Sequence, residues 1–81
     1  MKKFIGFFLV LTLLWSGILA QETALNNFIS EGIKLHDKGD FTGAIDLYKK
    51  ALLLNKKSTH ANYEMASSYL ALKDYGNAVI Y

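Results

Sequence analysis

A segment of this chain repeats itself after 34 residues. Residues 40–45, Asp-Phe-Thr-Gly-Ala-Ile, return as residues 74–79, Asp-Tyr-Gly-Asn-Ala-Val, and the small Gly32 returns as Ala66. A fixed period of this length is typical of stacked helical hairpins, in which each hairpin buries its apolar face against its neighbour. The repeat therefore predicts an all-α binding scaffold, and it does not indicate what is bound.

The first twenty residues have the layout of a bacterial export signal. Lys2 and Lys3 form a short basic start, residues 4–15 are almost wholly apolar, and residues 16–20 end in a small residue. This layout predicts a signal peptide, residues 1–20, that is cleaved before Gln21 and directs the mature chain to the periplasm or out of the cell. The alternative is an uncleaved inner-membrane anchor, because residues 4–20 are just long enough to cross a bilayer.

Without this leader the chain is formally neutral. Residues 21–81 carry seven lysines against seven aspartates and glutamates, and the whole chain has no cysteine. No basic patch is left to attract nucleic acid, and we expect membrane contact only through an uncleaved leader. An exported domain of about 60 residues without disulfides depends on repeats or partners for its stability.

Apolar residues recur at helical spacing over residues 25–38, and the next two helices are predicted from Phe41 and from Ser58 or Thr59 onward. A fourth helix is expected to begin near Tyr75. Gly39 suits the left-handed position that ends a helix, Asp40 suits the N-cap of the second helix, and either Ser58 or Thr59 suits the N-cap of the third. In the second copy Lys73 replaces this glycine, at a cost of about 1 kcal/mol if the turn keeps its shape.

These features together resemble the tetratricopeptide repeat, a 34-residue unit of two antiparallel helices joined by a tight turn. The match is continuous over residues 39–52, with Phe41 at the turn and Ala44, Tyr48 and Ala51 along the second helix. The resemblance implies an α-solenoid in which small residues let the helices of each hairpin approach closely.

By this resemblance residues 21–81 form one tetratricopeptide region. Repeat 1 covers about residues 25–58, and a partial repeat 2 covers about residues 59–81. Arrays of this kind generally need about three repeats to bury their faces, so we expect the array to continue past Tyr81. The alternative is a complete small protein that associates with a copy of itself through the open second repeat.

In the tetratricopeptide family the inner surface, built mainly from the first helix of each repeat, binds peptides or protein segments. The resemblance places eight residues on that surface: Asn26, Ile29, Ile33, His36, His60, Tyr63, Ser67 and Leu70. The lysines and asparagines with which the best-known members clamp a carboxylate are absent from the matching positions. Ile29 and Ile33 would instead suit an apolar ligand or a neighbouring helix. The opposite interpretation is that a preceding segment covers these isoleucines.

Nothing in the sequence indicates catalysis. There is no cysteine, no glycine-rich phosphate loop and no histidine pair at ligand spacing, so we expect no catalytic, cofactor or metal site. His36 and His60 are interpreted as surface histidines, and Glu31 as a solvated carboxylate.

The sequence thus predicts an exported scaffold that binds a protein or peptide in the bacterial cell envelope. The alternatives are an assembly adaptor of an envelope complex, or the N-terminal part of a larger protein whose activity lies downstream.

Overall fold

Four helices follow one another in this chain. The computed structural model describes the backbone of residues 2–81 and the side chains of residues 19–81. The helices are α1 (Lys2–Asp37), α2 (Phe41–Leu54), α3 (Thr59–Ala71) and α4 (Tyr75–Ala78). Since the described backbone contains no strand, the predicted all-α class is confirmed.

Helix α1 is longer than the sequence pattern predicted. We expected the first helix over residues 25–38, but α1 begins at Lys2 and continues through Gln21 to Asp37. The intervening residues 21–24 are Gln-Glu-Thr-Ala, which include good helix formers and no proline. Nothing in this segment stops a helix, and the apolar periodicity marked only the part of α1 that packs against the other helices.

The predicted leader, residues 1–20, lies almost entirely outside the described side chains. Its cleavage before Gln21, and the alternative of an anchor over residues 4–20, therefore stay predictions. Within the part of the chain whose side chains are described, no helix has the length and apolar character needed to cross a membrane.

The same turn follows α1 and α3. After α1 the amide of Gly39 donates to the carbonyl of His36 at 2.9 Å, and the amide of Asp40 donates to the carbonyl of Leu35 at 2.8 Å. The two equivalent bonds after α3 each measure 2.9 Å. This pair of bonds is the Schellman arrangement that ends a helix with a left-handed residue. The repeat in the sequence is therefore also a repeat in local structure.

Polar side chains begin the three later helices. Asp40, Ser58 and Asp74 each accept a hydrogen bond from the amide three residues further on, at 3.0, 3.2 and 3.3 Å. Each bond satisfies an amide that the first turn of a helix leaves without a partner. The N-cap predicted at Asp40 is confirmed, and of the two candidates for α3, Ser58 and Thr59, the N-cap is Ser58.

Helices α1 and α2 pack antiparallel and very closely. Gly32 of α1 lies against the ring of Tyr48 of α2, so that a Cβ atom at residue 32 would be 2.8 Å from Cδ1 of that ring. Further from the turn, Ile29 of α1 shares a buried cluster with Ala51 of α2. In each of these two pairs, the residue of α1 and the residue of α2 lie equally far from the turn that joins the helices. This is the pairing expected of an antiparallel hairpin.

Helix α3 packs on α2 beside α1 and completes the core. Its Met65 joins Ala44, Ile45 and Tyr48 in one buried cluster, and its Ala61 joins the cluster of Ile29 and Ala51. Because alanine occupies three of these seven core positions, at residues 44, 51 and 61, the helices approach closely and even modest increases in side-chain volume will be felt.

We predict that Gly32→Ala destabilises the chain. The new methyl group meets the fully buried ring of Tyr48, which has no space to retreat, so the free energy of unfolding should fall by about 1–3 kcal/mol despite the better helix propensity of alanine. Gly76→Ala is the matched control, because a Cβ there meets nothing closer than 3.9 Å. Equal urea-unfolding midpoints for Gly32→Ala and the unaltered chain would contradict the close helix contact.

We also predict that Lys73→Gly stabilises the chain. Lys73 has φ 60°, and Gly39 at the equivalent place in the first turn has φ 87°. Left-handed backbone is unfavourable for a side chain with a Cβ, so glycine should add roughly 0.5–1 kcal/mol after its larger unfolded-state entropy is deducted. The reciprocal change Gly39→Lys should cost a similar amount. Thermal unfolding of both variants checks the sign, and a loss of stability in Lys73→Gly would be the contrary result.

Candidate functional site

An open groove lies between α1 and α3, the first helices of the two repeat copies. Its volume is about 420 Å³, and it is lined by five residues of α1 and one of α3: Asn26, Ile29, Ser30, Ile33, Lys34 and His60. Helices α1 and α3 form the two walls of the groove, and both pack side by side on α2. The groove is therefore a product of the hairpin geometry.

Two isoleucines form the apolar part of this groove. Ile29 is 3% exposed and packs with Ala51 and Ala61, so it is a core residue whose edge contributes to the groove. Ile33 is half-buried and packs against both core clusters. Ala51 of α2 and Ala61 of α3 cover Ile29, and Leu25 and Phe28 of α1 pack against the same cluster.

The polar side chains of the groove are basic or neutral. Nζ of Lys34 lies 3.1 Å from Oε1 of Glu31, in an ion pair whose side chains are both more than half exposed. Nε2 of His60 lies 3.6 Å from Oε1 of Glu64, which forms an ion pair when the imidazole is protonated. The exposure of Glu31 agrees with its interpretation as a solvated carboxylate. An ion pair as exposed as that of Lys34 and Glu31 contributes about 0–1 kcal/mol to the free energy of unfolding.

The eight residues predicted for the inner surface do not all lie in the groove. Asn26, Ile29, Ile33 and His60 line it. On α3, Tyr63 and Leu70 are exposed beside it and Ser67 is half-buried. His36 lies further along α1, near the turn.

His36 is not the free surface histidine that the sequence suggested. Its Nδ1 lies 2.8 Å from Oγ of Ser68, which is fully buried on α3. Its ring also meets the ring of Phe41 edge-on, with 4.8 Å between the ring centroids. His36 thus joins the end of α1 to α3 through a polar contact, and it serves packing between the two copies.

Sequence analysis missed two residues of the groove, Ser30 and Lys34. Each follows a predicted isoleucine by one position, which is a rotation of about 100° around the helix. The inner-surface positions of the repeat pattern left them out, but both residues line the groove. A helical-wheel projection centred on Ile33 would have found both.

A smaller cavity of about 270 Å³ lies where α1 passes the end of α2. It is lined by Gln21, Glu22, Leu25, Leu54 and Asn55. Gln21, Glu22 and Leu25 follow closely on the predicted cleavage point, while Leu54 and Asn55 lie at the end of α2. The side chains of residues 19–81 contain no group of three or more His, Asp or Glu arranged to hold a metal ion.

The hydroxyl of Tyr48 is the one buried side-chain polar atom without a hydrogen-bond partner in the described part of the chain. Burial, and next the negative charge of Glu64, raise the pKa of this phenol to about 12 from its ordinary value of 10.0. The nearby Ser68 hydroxyl lowers the pKa somewhat, without reaching the geometry of a hydrogen bond. The folded chain therefore requires a neutral Tyr48.

Comparison with protein-family models, with curated proteins and with solved structures finds no match to this chain. The resemblance to tetratricopeptide repeats consequently stays a prediction from the sequence pattern.

We predict that Tyr48→Phe flattens the dependence of stability on pH in the alkaline range. Because the folded state raises the pKa of Tyr48, its contribution is fully present below about pH 10 and is lost as the pH rises toward 12. Tyr48→Phe has no phenol to ionise, so its free energy of unfolding should not fall in this pH range. At pH 7 the variant should be at least as stable as the unaltered chain, since the buried hydroxyl that it lacks has no hydrogen-bond partner. Urea unfolding at several pH values between 7 and 11 measures the effect.

The matched control for this experiment is Tyr63→Phe, because Tyr63 is 69% exposed. The free energy of unfolding of Tyr63→Phe should depend on pH between 7 and 11 in the same way as that of the unaltered chain. If Tyr48→Phe and Tyr63→Phe gave the same profile, Tyr48 would not be the residue whose burial limits alkaline stability.

Proposed function

We propose that residues 21–81 are a tetratricopeptide-type region of an exported scaffold, which binds a peptide or protein segment in the bacterial cell envelope. The observation that carries this proposal is the groove between α1 and α3. It is open, it has an apolar floor at Ile29 and Ile33, and polar side chains border it. Grooves of this composition suit apolar side chains of another chain, with polar groups setting the orientation.

Two structural features support the repeat assignment. The turns after α1 and α3 have the same hydrogen bonds, and the residues that make them are 34 positions apart. The hairpin closes at Gly32, where only a residue without a side chain lets the ring of Tyr48 approach. Repeats of this type bury their apolar faces against neighbours and present one continuous surface to a partner.

Export is supported by the arrangement of the leader and by the composition that follows it. The basic start, apolar core and small-residue end fit a cleaved signal peptide. The neutral charge of residues 21–81 gives no reason to expect a nucleic-acid partner.

A second candidate function, an assembly adaptor, is favoured by an apolar surface at the last helix. Val79 is 81% exposed, while Ile45, its equivalent in the first copy, is 5% exposed under Met65. Tyr75 and Ile80 are also exposed. A flat interface with another protein, or self-association, would cover this surface.

Site-specific photo-crosslinking in bacteria that export the chain tests the proposal. A photoreactive amino acid replaces Ser30 in the groove, Val79 on the apolar surface of the last helix, or the exposed Asp46 of α2 as the control. We expect a defined cross-linked partner from position 30 and none from position 46. Intact-mass analysis of the envelope fraction should find a chain that begins at Gln21.

The three positions separate the candidate functions. A product from position 79 alone would favour the adaptor over peptide capture. The same products from positions 30 and 46 would show that the groove has no special role, and an intact Met1 in the membrane fraction would overturn cleavage.

A further inference from the structure

Gln21 is the residue with which the mature chain would begin after the predicted cleavage, and it is the only glutamine in the sequence. Its side chain is exposed, as is that of Glu22 beside it. An N-terminal glutamine carries an α-amine and a side-chain amide at the spacing that closes a five-membered ring. Because groups held at such a spacing react far faster than separate molecules, cleavage would bring together two groups suited to react with each other.

The place of Gln21 in α1 leaves its α-amine accessible after cleavage. In the structure α1 continues through Gln21 to Asp37, so the mature chain would begin directly with this helix. The first four backbone N–H groups of a helix have no carbonyl partner within it. The α-amine of Gln21 would be one of these groups. The positive end of the helix dipole also disfavours the charged form of the amine, and the neutral form is the nucleophile.

The core holds this end of α1 in place and leaves room beside it. Leu25, one turn after Gln21, packs against the buried cluster that contains Ile29. Gln21 and Leu25 both line the cavity of about 270 Å³ at the end of α2, together with Leu54 and Asn55. The two leucines offer apolar surface to the methylene groups of a ring, and the amide of Asn55 offers hydrogen bonds to its polar atoms. The surroundings of Gln21 therefore suit a small neutral ring.

We propose that residue 21 of the mature chain is converted to pyroglutamate, a five-membered lactam. The nitrogen of the α-amine attacks Cδ of the Gln21 side chain and forms the lactam bond, while the bond between Cδ and Nε2 breaks. Nε2 leaves as ammonia with one proton from the α-amine, so the step needs no oxidant, reductant or cofactor. This inference rests on the proposed function, in which the leader is cleaved before Gln21.

The lactam would change the end of the mature chain in two ways. It removes the positive charge that a free amine places at the positive end of the helix dipole of α1. It also removes the amine that an aminopeptidase needs, at the end of the chain, where proteolysis commonly begins. A chain exported among envelope proteases would therefore keep the first turn of α1.

Mass spectrometry of the exported chain tests this inference. The full sequence is expressed with its leader, and the mature chain is purified rapidly and measured intact. We expect most molecules to have the mass of residues 21–81 less one ammonia, with fragment ions that assign the loss to the first residue. Edman sequencing should give no signal until a pyroglutamate aminopeptidase has removed that residue.

Gln21→Asn is the matched control, because asparagine keeps the side-chain amide but is one carbon too short to close a five-membered lactam with its own α-amine. This variant should keep the full mass of residues 21–81 and should give asparagine in the first cycle of Edman sequencing. An aminopeptidase should shorten Gln21→Asn and leave the unaltered chain at its original length.

The other outcomes distinguish this inference from the proposed function. A mature chain that begins with Gln21 and has lost no ammonia would overturn the lactam and leave export and cleavage in place. A chain that begins at a different residue, or one that still carries Met1, would overturn the lactam together with the predicted cleavage. Loss of ammonia from both the unaltered chain and Gln21→Asn would assign the loss to another residue, and it would also overturn the lactam.

Discussion

The contact between Gly32 and the ring of Tyr48 is the constraint on which the rest of this structure depends. It fixes how closely α1 and α2 approach, because any side chain at residue 32 would collide with the ring. On α2 the same ring belongs to the cluster that Met65 of α3 completes. One aromatic side chain thus relates three helices to each other. The position of the groove follows, since its walls are the two helices that α2 holds side by side.

This arrangement buries polar atoms that a purely apolar core would lack. The hydroxyl of Tyr48 is buried without a hydrogen-bond partner, and that raises the cost of ionising it inside the fold. Nearby, Ser68 is fully buried but bonded to His36. The satisfied pair links α1 to α3, while the unsatisfied hydroxyl lowers stability.

Local chemistry made much of the fold predictable. The helix ends at Gly39, Asp40 and Ser58 depend on residues that act within one turn, so the sequence indicated them correctly. The start of α1 was wrong, because periodicity reports the packed part of a helix and not its full length. The contact of His36 with Ser68 spans 32 residues and depends on how α3 crosses, which no local pattern encodes. The groove residues were predicted only in part, because the repeat positions do not include Ser30 and Lys34, which lie one residue further around α1 than Ile29 and Ile33.

Ile29 belongs both to the core and to the groove, so the stability of the fold and binding in the groove are coupled. Ile29 packs against Ala51 and Ala61 on one side and borders the groove on the other. A ligand that reached from Ile33 to His60 would touch both α1 and α3 and would add contacts between two helices that also pack on α2. A ligand that binds only the folded arrangement stabilises it in proportion to the logarithm of its concentration over Kd. Occupancy of the groove would therefore hold α3 against the first hairpin, and the orientation of the second copy would depend on the partner as well as on the core.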